Sequence, residues 1–591
     1  MDIYEKMILK EIYINQFISQ KNLSSNMHFS INVISRSIKN LKRLGYLNEF
    51  TQPTPKAKYE IEQNKPKQAV ILAAGFGMRM VPINTEVTKG LIEVNKEPLI
   101  ERIIKQLHES GIYEIYIVVG FLKEKYEYLI DEYGIELIIN PKYAEKNNLH
   151  SLNLAKNHLI NSYIIPCDIW CLNNPFSNVE LYSWYMVSDS LSSDSNVKVN
   201  RMRQLRKISN NDTGNTMKGI CYLNIHDAMT VKSNLESMCQ KSKYDNCFWE
   251  EVLYSGNKMF VAAKIVSDES VYEINTYEQL REIDNSSNQL NTVAIQLICS
   301  ALNVNTQEIT NISVLKKGMT NRSFIFTCRG KKYIMRIPGE GTDCLINRKH
   351  ESDVYKIIDK LNICDDIVYI DDISGYKITK YLDKARVCDP LNPSDVKKCM
   401  KVLKDFHDRK LKVSHEFDVF YQIEFYESLW TNNESIYKDY SKTKECILLL
   451  KTYIESCTFE KVLTHIDANA DNFLFSGQNQ DVRLIDWEYA GMQDPHLDIA
   501  MFAIYSLYDR QQIDWLISVY FDGDCDTKTR IKIYAYIAVG GLLWSNWCEY
   551  KQSVGVEFGE YSIRQYRYAK EFYKIVKLEL QNIEKEYTEN V

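Results

Sequence analysis

The arrangement of apolar and polar positions changes character near residues 66 and 290. In the first stretch, an apolar stripe at helical spacing follows Ser30 and ends at Gly45. Residues 46–50 and 58–61 then predict two short strands around a proline-containing turn. We therefore predict a small domain over residues 1–66, in which helices are followed by a β-ribbon.

The second stretch, residues 67–290, alternates apolar runs with helical segments. Four largely apolar runs lie at residues 69–72, 115–119, 136–139 and 162–165, and the first of them is continuously apolar. Strands of this kind are typically buried on both faces, as in sheets covered by crossover helices. The pattern predicts a Rossmann-like domain with a mixed, mostly parallel sheet.

The third stretch, residues 291–591, begins with short strands and continues as a largely helical segment. The strands are predicted at residues 312–316, 322–328 and 332–336, and a helix at 347–361. This order is typical of a small β-rich lobe followed by a larger helical lobe. The three stretches together predict an α/β multidomain chain.

Composition and charge exclude several classes of protein. The 591 residues include 72 Lys and Arg against 78 Asp and Glu, so the chain as a whole lacks the basic footprint of a nucleic-acid-binding protein. No apolar run approaches the roughly 18 residues of a membrane span, so no membrane partner is expected. The 15 cysteines form no disulfide framework. We expect reduced thiols and a cytoplasmic location.

The first 66 residues are locally basic, with ten Lys and Arg against six Asp and Glu. Helices followed by a β-ribbon resemble a winged helix-turn-helix domain. Four cations lie on the side of the second predicted helix that would meet phosphates, namely Arg36, Lys39, Lys42 and Arg43. The alternative is a solvated face on a domain that only packs or dimerises. DNA binding and a homodimer are both left open by the sequence.

A glycine-containing loop follows the first apolar strand of the second stretch. The loop reads Ala73-Ala74-Gly75-Phe76-Gly77-Met78-Arg79, and Lys89 follows ten residues later. Two glycines let backbone N–H groups approach a polyanion, and the two cations can neutralise phosphate charge. A strand, this loop and then Thr88-Lys89-Gly90-Leu91 resemble the nucleotidyltransferase superfamily.

Further segments narrow the resemblance to bacterial CTP:phosphocholine cytidylyltransferases. These are residues 118–124, 147–152 and 272–275. The resemblance implies Arg79 and Lys89 as catalytic cations, and a CTP site formed by Leu72, Ala73, Ala74, Gly75, Gly77, Arg79, Lys89 and Asn148. It implies Mg²⁺ bound by Asp168 and by Asn275, where the family usually has aspartate. Trp249 is a candidate aromatic surface for the quaternary ammonium group.

The third stretch contains the pattern H-x-D-x-x-x-x-N, formed by His465, Asp467 and Asn472, with Asp486 fourteen residues further on. This is the pattern of a phosphotransferase catalytic loop. Asp467 would accept or orient the substrate hydroxyl proton, and Asn472 and Asp486 would hold Mg²⁺ against the phosphates of ATP. The D-F-G and A-P-E motifs of protein kinases are absent from the sequence, which favours a small-molecule substrate.

The upstream residues resemble the choline/ethanolamine kinase family. Arg336 occurs in the run R-I-P-G, where protein kinases have a lysine, and Glu351 can pair with it. With Thr320 and Asn321 these residues form the predicted ATP site. The choline site is predicted from aromatic faces and a carboxylate, namely Glu488, Tyr489, Trp544 and Trp547.

The two resemblances together predict a bifunctional enzyme. It would phosphorylate choline with ATP and then couple phosphocholine to CTP, giving CDP-choline. Two alternatives remain open. One is a kinase for ethanolamine or another amino alcohol, fused to a sugar-1-phosphate nucleotidyltransferase. The other is a transcription regulator whose enzyme domains sense metabolites.

Overall fold

The computed structural model describes residues 1–209, 212–315, 321–339, 345–430, 434–477, 480–553 and 558–589. The chain forms two compact units. The first comprises Met1–Gln296 with Ile312–Val314, and the second Leu297–Asn311 with Leu315–Val591. The chain first passes from one unit to the other within the helix Val293–Leu302. Among the described residues, no helix combines the length and apolar character needed to cross a bilayer.

The first unit contains nine α-helices and fourteen strands among its described residues. The helices α1–α9 are Ile3–Asn15, Gln20–Met27, Ile31–Arg43, Pro55–Gln63, Leu99–Glu109, Tyr128–Tyr133, Asn148–Leu154, Ile225–Met238 and Tyr277–Ile283. The strands β1–β14 are Gln68–Ala73, Glu93–Val94, Glu97–Pro98, Glu114–Val119, Glu136–Ile139, Ser162–Pro166, Ile169–Cys171, Trp184–Ser192, Val197–Val199, Gln204–Lys207, Gly214–Leu223, Tyr254–Ser255, Lys258–Val266 and Val271–Glu273.

The large sheet of this unit has the strand order β5-β4-β1-β6-β11-β8-β13-β10-β9, with β12 paired to β13. The strands β5, β4, β1 and β6 run parallel, as does the pair β8 and β13. The other five described pairings of this sheet are antiparallel. A mixed sheet is therefore confirmed, but the prediction that it is mostly parallel is wrong. Continuous apolar runs identify only the parallel half, because the returning strands are partly polar.

The first 66 residues form helices α1–α4 and one short hairpin. The strand predicted at 58–61 is wrong, because these residues belong to α4. Thr54 caps that helix by accepting the N–H of Ala57 at 3.3 Å, and Pro55 occupies its first turn. The predicted ribbon is reduced to a bridge between Leu47 and Pro53.

This small helical domain is packed against the nucleotidyltransferase-like part of the first unit. Its apolar core includes Val179 and Leu181 as well as residues of α1, α3 and α4. Lys10 of α1 donates to the fully buried carboxylate of Glu180 at 2.7 Å. Lys264, on β13, lies within electrostatic range of both groups, and burial lowers its pKa to about 8.

The second unit begins, after α10 (Val293–Leu302), with an antiparallel sheet. The described part of this unit contains ten strands in three sheets. Strands β15–β24 are Ile309–Val314, Asn321–Cys328, Lys331–Pro338, Ile367–Ile370, Lys377–Lys380, Arg386–Val387, Val462–Thr464, Phe473–Ser476, Asp481–Leu484 and Gly491–Gln493. Strands β15-β16-β17-β19-β18 form the first sheet in that order. The helices α11–α18 are Arg348–Ile358, Pro393–His407, Val419–Ser428, Tyr440–Ser456, His496–Tyr505, Arg510–Tyr520, Thr527–Ser553 and Glu560–Glu589.

The helical part of the second unit is built around α17. Nearly every residue of this helix from Ile531 to Glu549 is buried, because α13, α14, α15 and α18 pack around it. The catalytic-loop sequence lies between the short strands β21 and β22. A β-rich lobe followed by a helical lobe is the order that the sequence predicts.

Candidate active sites

The loop after β1 lies at the carboxyl edge of the parallel strands. Leu72, Ala73 and Ala74 are buried, and the backbone of β1 is held on both sides, by Cys167 N–H to Leu72 O at 3.2 Å and by Phe121 N–H to Ala74 O at 3.3 Å. Gly77 has a φ of 64°, a conformation that favours glycine. Ligands of open α/β sheets bind at this edge.

Four predicted site residues converge next to this loop. Arg79 donates to Asn275 Oδ1 at 2.8 Å, and Lys89 donates to the same oxygen at 2.6 Å. Lys89 also forms an ion pair with Asp168. The two acceptors are brought together because Ile274 N–H donates to Asp168 O at 2.9 Å, between β14 and β7. The oxygens of Asp168 and Asn275 therefore converge on one cationic group.

A second acidic group near this site was missed by the sequence reasoning. Glu250 is half-buried and accepts from the hydroxyl of Tyr185 at 2.9 Å. Burial raises the pKa of Glu250 to about 7, with further contributions from the negative charges of Glu273 and Asp168. Glu273 itself accepts from Asn275 Nδ2 at 2.5 Å. The signal for this group in the sequence is the pair of adjacent glutamates, Glu250 and Glu251, that directly follows Trp249.

The side chain of Asn148 forms a hydrogen bond with the backbone of Trp249. Asn148 Oδ1 accepts the N–H of Trp249 at 2.8 Å. The indole of Trp249 is only 1% exposed and packs in the core against Tyr185 at a centroid distance of 5.9 Å. This placement makes Trp249 a core side chain, and its indole is not an exposed surface for an ammonium group.

In the second unit, the catalytic-loop residues are close together. Asn472 Nδ2 donates to the backbone O of Asp467 at 2.8 Å and to its carboxylate at 3.1 Å. Asn469, which the sequence reasoning did not assign, donates to the other carboxylate oxygen at 2.9 Å. Burial raises the pKa of Asp467 to about 8, and the charges of Asp486 and Glu488 contribute to the same shift.

The loop conformation is held by a buried carboxylate. Ile466 has a φ of 71°, which is strained for a β-branched residue. Asp498 accepts the N–H groups of His465 at 2.9 Å and Ile466 at 2.7 Å, and its carboxylate also bonds His407 at 3.0 Å. Asp498 therefore positions the segment that carries Asp467.

The predicted pair Arg336 and Glu351 is a bidentate ion pair. The two guanidinium–carboxylate distances are 2.6 and 2.8 Å, and both side chains are buried. Two further cations approach Glu351, Arg348 at 3.5 Å and Lys377 at 3.9 Å. Burial alone would raise the pKa of Glu351, but these positive charges lower it. Glu351 thus lies within 4 Å of three cations, of which Lys377 also lies 3.5 Å from the carboxylate of Asp365.

Glu488 lies on the side of these arginines. Its carboxylate accepts from Asn321 at 2.9 Å and lies 3.6 Å from Arg348 and 3.8 Å from Arg336. Burial raises the pKa of Glu488 to about 7. This placement puts Glu488 beside the arginines of the predicted ATP site, next in sequence to Tyr489 of the predicted choline site. Thr320 and the rest of the loop 316–320 lie outside the described residues.

Three aromatic side chains of the predicted choline site form a cluster. The rings of Tyr489 and Trp544 are 5.8 Å apart and perpendicular, and those of Trp544 and Trp547 are 5.7 Å apart at 81°. Burial raises the pKa of Tyr489, and the negative charges of Glu488 and Asp467 raise it further. The aromatic cluster therefore lies within electrostatic range of the catalytic-loop carboxylate.

Asp486 has a φ of 66° and a partly exposed side chain, 3.7 Å from Arg336. Asn472 uses its amide nitrogen on Asp467, so its amide oxygen is available as a ligand. Hard oxygen donors of this kind suit Mg²⁺, which is usually bound through one or two carboxylates and substrate phosphates. Among the described residues there is no cluster of three or more His, Cys, Asp or Glu that would enclose a metal fully.

Two family models match separate parts of the chain. A model described as Choline/ethanolamine kinase matches residues 312–519, and one described as MobA-like NTP transferase domain matches residues 69–178.

Similar proteins are found for both regions. A choline-phosphate cytidylyltransferase of Streptococcus pneumoniae is 32% identical over 221 residues, covering 37% of this chain and 96% of the relative. Protein LicA of Haemophilus influenzae is 26% identical over 262 residues, covering 42% and 96%. The crystal structure of choline kinase LicA from Streptococcus pneumoniae is 27% identical and covers 47% of this chain and 97% of that one, with a TM-score of 0.42.

Proposed function

The chain belongs, through its first unit, to the choline-phosphate cytidylyltransferase family, and from that premise we propose that it makes CDP-choline in two consecutive steps. The second unit phosphorylates choline with ATP. The first unit transfers the cytidylyl group of CTP to phosphocholine and releases pyrophosphate. The observation that carries the proposal is the presence of two phosphate-transfer sites in one chain. The cytidylyltransferase site uses the phosphocholine that the kinase site makes.

In the kinase step, the hydroxyl oxygen of choline bonds to the γ-phosphorus of ATP, and the bond from that phosphorus to the bridging oxygen breaks. Asp467 accepts the hydroxyl proton. Its two carboxylate oxygens are fixed by Asn469 and Asn472, so the base is oriented before the substrate binds. The aromatic cluster binds the trimethylammonium group, since a ring face attracts a cation by about 0.5–2 kcal/mol.

In the cytidylyl step, a phosphate oxygen of phosphocholine bonds to the α-phosphorus of CTP as the bond to pyrophosphate breaks. Arg79 and Lys89 carry the positive charge that stabilises the negative charge developing on the phosphates. They are kept at the loop by Asp168 and Asn275. The half-buried Glu250, ionised above a pKa of about 7, is our candidate for the carboxylate that recognises the ammonium group.

Mg²⁺ fits both sites. In the kinase site it would be held by Asn472 and Asp486, and in the cytidylyltransferase site by Asp168 and Asn275, whose oxygens already share the ammonium group of Lys89. When bound, it would neutralise triphosphate charge. The Asn275 amide supplies an oxygen ligand without a negative charge, so we expect weaker metal binding than an aspartate would give.

We also propose the division of the chain into residues 1–66, 67–290 and 291–591 as three domains. The two reactions belong to the second and third. Neither reaction uses the first domain.

The test is to supply the substrates in sequence to the full chain. With choline and ATP we expect phosphocholine by mass spectrometry, and with CTP added we expect CDP-choline and pyrophosphate. Parallel reactions contain ethanolamine in place of choline, or a sugar 1-phosphate in place of phosphocholine. Preference for either of these would replace our assignment with the amino-alcohol or sugar-phosphate alternative. Failure of both reactions with every substrate would reject the proposed function.

A further inference from the structure

Helix α3 presents a row of polar and basic side chains that neither reaction uses. Asn32, Arg36, Lys39 and Arg43 occur at i, i+4, i+7 and i+11, so they share one face of the helix, and all four are exposed. The opposite face is buried in the small apolar core through Ile34, Ile38 and Leu41. We call the four exposed residues the α3 stripe. Since the other face is anchored, the stripe has a fixed orientation.

The charged side chains of α3 are all positive. Helix α3 contains no Asp or Glu, and residues 1–66 carry ten cations against six acidic residues in a chain that is net acidic. One of those acidic groups is buried, and another caps a helix. Glu5 is buried and accepts from Asn40 at 2.9 Å, and Asp2 caps α1 by accepting the N–H of Glu5 at 2.8 Å. Three of the ten cations lie on the α3 stripe, and none of the six acidic residues lies on α3.

A short hairpin is fixed beside the carboxyl end of α3. Its two arms are joined by the N–H of Thr54 to Tyr46 O at 3.0 Å and that of Asn48 to Gln52 O at 2.9 Å. Lys42 of α3 donates to the Glu49 carbonyl at 2.6 Å, which ties the hairpin tip to the helix. The helix and the hairpin thus form one rigid surface.

We propose that this domain binds double-stranded DNA by placing α3 in the major groove. Thirteen residues give a helix of about 20 Å, and the three cations of the stripe span about 10 Å of it. The major groove, about 12 Å wide, admits one helix. Arg36, Lys39 and Arg43 would contact phosphates, and Asn32, in the first turn, would reach base edges. The four stripe side chains are polar or charged, which favours a polyanion over an apolar protein surface.

The test measures binding of the full chain to a fluorescein-labelled 30-base-pair duplex of mixed sequence by anisotropy, between 50 and 200 mM salt. For three phosphate contacts we expect affinity to fall about 40-fold over this range, from a slope of about 0.9 per contact. The variant Arg36→Gln/Lys39→Gln/Arg43→Gln should lose most of this affinity and most of the salt dependence. The matched control, Lys21→Gln/Lys58→Gln/Lys67→Gln, removes three exposed lysines elsewhere and should keep most of it.

Both variants should retain cytidylyl transfer and kinase activity, which shows that they are folded. A second measurement selects duplexes from a random 20-base-pair pool, and Asn32→Ala should weaken binding to the selected sequence more than to the mixed duplex. The proposal is overturned if the full chain does not bind the duplex at 50 mM salt, or if the two triple variants lose affinity equally. Stripe-dependent binding to anionic vesicles without duplex binding would also overturn it, in favour of a membrane surface.

Discussion

Replacing Glu351 should destabilise the second unit more than replacing its partner Arg336. Arg336 also lies within 4 Å of three carboxylates, those of Glu351, Asp486 and Glu488, so the reason is which buried charges keep a partner when one group is removed. Without Glu351, three buried cations lose the carboxylate they share, at 2.6, 3.5 and 3.9 Å. Without Arg336, Glu351 keeps Arg348 and Lys377 as neighbours, Glu488 keeps Arg348 at 3.6 Å, and Asp486 is partly exposed to solvent. The two halves of one ion pair are therefore not equivalent.

The size of the effect follows from the burial of both side chains. Removing one member of a buried pair usually costs about 3–5 kcal/mol. We expect Glu351→Gln to lie in the upper half of this range and Arg336→Met at or below its lower end. For a slope of about 3 kcal/mol per M urea, a loss of about 4 kcal/mol lowers the midpoint by more than 1 M.

Pulse proteolysis of the full chain across a urea series measures this, because it follows each unit through its own fragments. The fragments of the first unit serve as an internal control, since Glu351 lies in the other unit and their midpoint should not move. The conservative variant Glu351→Asp, which keeps the charge, should recover part of the loss. Equal midpoints for Glu351→Gln and Arg336→Met would refute the reasoning that Arg348 and Lys377 share this carboxylate.

Four further predictions concern the two reactions. Asp467→Ala should abolish choline phosphorylation, as measured by phosphocholine formation, and leave cytidylyl transfer to supplied phosphocholine intact; loss of both would show that the sites depend on each other. Trp544→Ala should raise the KM for choline roughly tenfold, for about 1.4 kcal/mol of lost cation–π attraction, with an unchanged KM for ATP. Asn275→Asp should lower the Mg²⁺ concentration for half-maximal cytidylyl transfer several-fold, and an unchanged titration would remove this residue from the metal site. The raised pKa of Glu250, about 7, means that its carboxylate forms as the pH rises through neutrality, so phosphocholine binding should strengthen from pH 6 to pH 8; in Glu250→Gln that part of the pH dependence should be absent.

The parts of the fold that follow from local rules could be predicted from the sequence. The strand Gln68–Ala73 and helix α3 are confirmed, because a continuous apolar run and an apolar stripe after a capping serine are strong local signals. The error at residues 58–61 also has a local cause. Thr54 and Pro55 form a helix start, and this signal outweighs the alternation of apolar and polar residues that suggested a strand.

The geometry of the candidate sites depends on contacts that are distant in sequence. Asn275 reaches Asp168 only because β14 pairs with β7, more than 100 residues earlier. Glu250 faces the same region because Tyr185, on another strand, bonds it. Asp498 lies 31 residues after Asp467, and its support of that loop depends on the packing of α15. Motif spacing identifies the reacting groups, but these partners require the folded chain.

The contact between Lys10 and Glu180 has a practical consequence for any attempt to separate the domains. A chain shortened to begin at residue 67 would lose the cation that balances a fully buried carboxylate, and would uncover Val179 and Leu181. The resulting enzyme would be weakened by the cut itself, so a drop in its activity would say nothing about a regulatory role of the missing helices. Single substitutions on the exposed surface of α3 are the better test, because they leave the contact between this domain and the rest of the first unit intact.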